Sequence, residues 1–156
     1  EPGHGTTVKL YLPRYLGPLE DAIAGAVRGP APESGGAEVV LVVEDDERVR
    51  AMSVDALKEL GYIVYQAGGA DEALRVVETL ARLDLLFTDI VMPGTTGRQL
   101  ADMVVARSPH VKVLYTTGYT RNAVVHNGVV DAGVEFLAKP FSIADLAVKV
   151  RSVLDA

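Results

Sequence analysis

Cysteine is absent from the 156 residues, which excludes disulfides, thiolate metal sites and a cysteine nucleophile. Disulfide-free chains occur in reducing and oxidising surroundings alike, so this absence leaves the compartment open. Long hydrophobic runs are lacking too. Stretches such as Val39–Val43 fall far short of the ~20 apolar residues of a membrane span. No basic-then-apolar signal segment opens the chain, so the expectation is a cytoplasmic protein without membrane contact. Excess positive charge is also missing: 15 Lys+Arg stand against 21 Asp+Glu, a formal net charge of −6. That balance argues against nucleic acid or an anionic membrane surface as partner. What is present is an ordinary globular composition, 49% hydrophobic and 23% charged, long enough for one domain and an appendage.

Glycine and proline are distributed unevenly, with 7 of the 15 Gly and 5 of the 8 Pro in residues 1–36. In that region Val8, Leu10 and Leu12 alternate as on a half-buried strand, until Pro13 stops it. Leu19, Ala22, Ile23, Ala26 and Val27 follow at helical spacing, and residues 28–36 read as a linker. From residue 37 compact apolar strands alternate with amphipathic helices. Val39–Val43 is an unbroken β-branched run, as in a parallel strand covered on both faces. Asp46 is placed to cap a helix whose apolar positions are Val49, Met52, Ala56, Leu57 and Leu60, ended by Gly61. Further strands are expected over 62–66, 83–88, 111–115 and 134–137. Helices are marked by Ala70, Ala73, Leu74, Val77 and Leu80, and by Leu100, Met103 and Val104, with a short one around Arg121–His126. Ser142 with Asp145 resembles a capping box opening a last helix with Ile143, Leu146, Ala147, Val150 and Leu154 inward. Five strand–helix units with short connections imply an α/β fold: a doubly wound five-stranded parallel sheet with helices on both faces.

In such sheets functional groups collect at the carboxyl ends of the strands. Here those ends deliver Glu44-Asp45-Asp46, Asp89, Thr116-Thr117-Gly118 and Lys139-Pro140. Taken singly, each has a plain reading: helix capping for the acidic triplet, a turn residue for Asp89, a strand end for Thr117, a solvated turn for Lys139. Taken together, several carboxylates at one mouth repel one another, and a hard divalent cation relieves that most simply. An ammonium beside such a site suits a phosphoryl group.

Residues 38–156 resemble the receiver domain of a two-component response regulator. The resemblance rests on Glu44-Asp45 after Val39–Val43, on the Leu85–Gly94 segment around Asp89, on Thr117-Gly118 and on Lys139-Pro140-Phe141. It implies the flavodoxin-like strand order 2-1-3-4-5 and a cis peptide at Lys139-Pro140. It also implies that Asp89 is the phosphoacceptor, with Asp45, Asp89 and the Val91 backbone carbonyl holding Mg²⁺ and Glu44 acting directly or through water. Lys139 would neutralise the phosphoryl group and Thr117 would donate to it. Phe136 occupies the family's aromatic switch position, and a plain core aromatic is the equal alternative. Val91 and Tyr119 would flank the path of attacking water, where other members often carry polar groups; slow self-dephosphorylation is expected.

Residues 3–13 are similar to the end of the ATP-binding domain of a sensor histidine kinase. The resulting division is 1–14 as that remnant, 15–37 as a linker with a short helix, and 38–156 as the receiver of a hybrid histidine kinase. Expected partners are a kinase phosphohistidine domain and a histidine phosphotransfer protein. Two other functions compete. A receiver-like interaction module would regulate the attached kinase without phosphorylation. An aspartyl-phosphate phosphatase of the haloacid dehalogenase type needs a second Asp at position 91, where this chain has Val. His4, His110 and His126 are scattered and receive no role.

Overall fold

A computed structural model describes residues 38–118 and 134–156. The expected strand and helix before residue 28, the linker, Tyr119 and the short helix around 121–126 lie outside the described residues. The elements are β1 (Val39–Val43), α1 (Glu47–Glu59), β2 (Ile63–Ala67), α2 (Ala70–Thr79), β3 (Leu85–Asp89), α3 (Gly97–Arg107), β4 (Lys112–Thr117), β5 (Glu135–Ala138) and α4 (Ile143–Asp155). The strands form one sheet in the order β2-β1-β3-β4-β5, every neighbouring pair parallel.

The apolar run of β1 is explained by its central place. Val40 and Val42 pack on one face with Val54 and Leu57 of α1 and Leu146 and Val150 of α4. Leu41 and Val43 pack on the other with Ala70 and Ala73 of α2 and Leu100 and Val104 of α3. Each such fully buried Val or Leu contributes roughly 1.5–3 kcal/mol. Phe87 and Phe141 meet edge to face, ring centroids 6.2 Å apart.

The helix starts follow their caps. Asp46 accepts the amides of Arg48 and Val49, and both Thr96 with Gln99 and Ser142 with Asp145 form capping boxes. Gly61 closes α1 at φ 91°, a conformation that favours glycine. Three apolar positions that marked helices, Ile143 among them expected inward, are exposed. Met52 and Ile143 are 51% exposed and Met103 is 37% exposed. On α1, Ser53 and Val54 take the inward face, and Ser53 satisfies its hydroxyl on the Val49 carbonyl at 3.0 Å. Ala101 is buried on α3, and Val153 is buried on α4. The later strands also begin one or two residues after their expected starts. Tyr62, for example, bonds the Leu57 carbonyl and belongs to the turn off α1.

At the amino end of the sheet Arg151 of α4 grips Glu38 at 2.9 Å and Asp155 at 2.9 Å. Two buried polar atoms beside it, Tyr62 Oη and Glu38 Oε2, have no hydrogen-bond partner among the described residues.

Candidate functional site

The opposite, carboxyl end is where the chemistry-bearing residues meet. Glu44 continues β1 by one more ladder bond, its amide donating to the Ala67 carbonyl at 3.2 Å, and the residue is only 5% exposed. Asp45 is exposed and Asp46 is spent on the helix cap. The acidic triplet therefore divides into one buried acid, one open acid and one cap. Asp89, the last residue of β3, is buried beside them, and carboxylate oxygens of Glu44, Asp45 and Asp89 lie within 4.8 Å of one another. Lys139 follows β5, fixed by its amide on the Thr117 carbonyl at 2.8 Å, and its peptide to Pro140 is cis as expected. Its ammonium donates to Glu44 Oε2 at 2.5 Å and to Asp89 Oδ2 at 2.7 Å.

The electrostatics follow from one ammonium serving two buried carboxylates. Burial pushes the Glu44 carboxyl above the usual carboxylate range, against the pull of Lys139, and the Asp89 charge adds to the rise. Burial pulls on the Lys139 ammonium the other way, but its bonds to Asp89 and Glu44 outweigh that and leave its pKa raised. Lysine thus stays charged and the carboxylates stay under-compensated. The three acids fit a hard divalent cation: they are oxygen donors, mutually close, two of them buried, and with Lys139 they are two positive charges short of balance.

Asp89 is held from every side. Its Oδ1 accepts the Val91 amide at 3.1 Å, and its carbonyl accepts the Thr88 hydroxyl at 3.1 Å. Gly97, the first residue of α3, presses against that carbonyl so closely that a Cβ would lie 2.0 Å from the oxygen. Thr117 ends β4 and is 3% exposed. Phe136 of β5 is partly buried against the cluster that holds Tyr115. Val91 is 57% exposed at the rim. Glu44, Asp45, Asp89 and Lys139 are therefore together, with Thr117 at the adjoining strand end; Tyr119 is outside the described residues.

Sequence reasoning passed over Thr88, Gly97 and Arg50, whose guanidinium donates to the Glu44 carbonyl at 2.6 Å. A signal existed for Arg50: a positive charge in the first turn of a helix opposes the helix dipole, so its presence there calls for another reason.

The profile of the response regulator receiver domain matches residues 40–151. The sensor kinase CckA of Brucella abortus is 36% identical over 161 aligned residues, covering 99% of this chain, which spans only 17% of that kinase. Among solved structures, the receiver domain of the hybrid histidine kinase CckA is 32% identical, with a TM-score of 0.63 over 74% of this chain and 98% of that one. The response regulator TrrA of Thermotoga maritima, solved in complex with Mg²⁺-BeF, is 26% identical, with a TM-score of 0.64 over 74% of this chain and 98% of that one. No helix among the described residues is long and apolar enough to cross a membrane. With four strand ends converging on an acidic, lysine-bridged mouth and a family profile spanning nearly the whole sheet, this chain belongs to the response regulator receiver domains, the phosphoacceptor modules of two-component signalling.

Proposed function

We propose that Asp89 accepts a phosphoryl group from a phosphohistidine in a Mg²⁺-dependent reaction. The observation that carries this is the meeting of Glu44, Asp45 and Asp89 with the Lys139 ammonium at one mouth. A carboxylate oxygen of Asp89 attacks phosphorus in line; the P–O bond forms as the P–N bond breaks, and the departing imidazole keeps the electron pair. Mg²⁺, held by Asp45, Asp89 and the Val91 carbonyl with Glu44 direct or through water, would supply charge neutralisation on the phosphoryl oxygens. Once phosphorylated, the Asp89 carboxylate is a mixed anhydride whose negative charge sits on the phosphoryl oxygens, and the Lys139 ammonium gains those oxygens as partners. Thr117 donates its hydroxyl to the same group, and Phe136 follows the movement of the β4 end, a local charge change read out as a shifted surface.

The phosphoryl group then passes to a histidine phosphotransfer protein or feeds back on an attached kinase. Residues 1–14 are read as the end of a kinase ATP-binding domain, 15–37 as the linker and 38–156 as the receiver of a cytoplasmic hybrid kinase segment. Support for that division comes from the match to a sensor kinase across 99% of the chain. Val91 and Tyr119 are read as slowing self-dephosphorylation; loss of the phosphoryl group within seconds would sink that assignment.

The decisive experiment is incubation with acetyl phosphate and Mg²⁺, followed by intact-mass measurement, with Asp89→Asn as control. The wild type is expected to gain one phosphoryl mass and the variant none. No gain in either would replace this reading with an interaction module that works without phosphorylation.

A further inference from the structure

We infer that Arg50 is a positioning residue for the acids of this mouth, acting on their backbone rather than on the ligand; the inference rests on the metal-site reading above. Arg50 Nη1 donates to the Glu44 carbonyl at 2.6 Å and reaches the Asp45 carbonyl at 3.5 Å. The Glu44 amide is already tied to Ala67, so the guanidinium fixes the other side of the same residue. Asp46, the next but one, is locked by capping α1, and its own carbonyl accepts the Arg50 amide at 2.9 Å. Asp45, exposed itself, is therefore slung between two immobilised neighbours, and its aim is set by them.

The guanidinium also reaches the β2–α2 turn. A Cβ at Gly68 would stand 3.4 Å from Arg50 Nη1 and 3.5 Å from Glu72 Oε2, and that Glu72 oxygen accepts the Gly68 amide at 2.7 Å. The Arg50 guanidinium therefore lies alongside the turn that Glu72 closes. Both contacts come from one guanidinium nitrogen, whose direction is fixed by the planar group it belongs to; a lysine ammonium on its flexible stem is not pre-organised in that way.

The sign of its effect separates this role from a bystander charge. A guanidinium near a cation site repels the cation, so deleting a mere bystander tightens Mg²⁺ binding. Deleting a residue that aims the ligands loosens it, by about tenfold for supporting groups around metal ligands.

The test is calorimetric Mg²⁺ titration of the wild type, Arg50→Met and Arg50→Lys, each with a thermal unfolding midpoint measured without metal. Arg50→Met is expected to bind Mg²⁺ about tenfold more weakly, with Arg50→Lys between it and the wild type. Binding by Arg50→Met that equals or exceeds the wild type overturns the inference, including when its unfolding midpoint falls. If Arg50→Met does not fold, Arg50→Lys decides by the same sign. A wild type that binds no Mg²⁺ overturns the metal-site reading first, and this inference with it.

Discussion

The two ends of the sheet each bury charge, and they do so differently. At the amino end one guanidinium, Arg151, serves Glu38 and Asp155, a formal sum of +1 − 2 = −1, and Asp155 is 64% exposed, so water disperses the excess. At the carboxyl end one ammonium, Lys139, serves a group of three acids, +1 − 3 = −2, and two of them are buried. The first cluster is a closed structural tie. In the second, charge is left over where water is scarce, which is costly unless a cation arrives. Buried ionic groups alone therefore do not mark a site; an imbalance that the protein leaves uncorrected does.

The contrast can be broken most directly at its two cations. Lys139→Met strands Glu44 and Asp89 and is expected to cost the metal-free domain about 3 kcal/mol in urea unfolding, with Mg²⁺ restoring more stability to the variant than to the wild type. Absence of that Mg²⁺ response would place the imbalance elsewhere. Arg151→Met is expected to cost about 1.5 kcal/mol, less because Asp155 can turn to solvent, and the loss should be the same with and without Mg²⁺.

A smaller effect sharpens the carboxyl end by pH. Because burial raises the folded pKa of Glu44, the folded state holds a proton that the unfolded state releases just above the ordinary glutamate value of 4.5. Its contribution to stability is therefore full below pH 4.5 and is lost as the pH rises through the folded value. Glu44→Gln removes that loss, so the metal-free stability of Glu44→Gln relative to wild type should grow between pH 4.5 and 8. A difference that stays flat with pH contradicts the burial penalty assigned to Glu44. The smallest effect belongs to the amino end: Tyr62→Phe removes a buried hydroxyl without a partner among the described residues and should leave stability within about 0.5 kcal/mol or raise it. A loss above about 1 kcal/mol would show that the phenol is bonded after all.

Much of this architecture was legible because it is carried by short-range pattern. The Val39–Val43 run needs cover on both faces, and it has it; the acids, Thr117 and Lys139 lie at strand ends because apolar runs stop there. Asp46, Gly61 and Ser142 act as caps for local stereochemical reasons that sequence spacing records. Periodicity failed where several small residues compete for one helix face: Ser53 and Ala56 let Val54 turn inward in place of Met52, and Ile143 sits at the exposed mouth where α4 has only begun. The Arg151–Glu38 tie, 113 residues apart in sequence, leaves no trace in local spacing. Gly97 was illegible for a related reason, since its smallness answers to a carbonyl on another element.

The Arg151–Glu38 tie has a mechanical meaning as well. It pins the start of β1 to the last turns of α4 at the pole of the domain farthest from Asp89. The acidic mouth opens at the other end of the same strands. A push or pull on the start of β1 therefore lands on that clamp, a full strand's length away from the acids and Lys139.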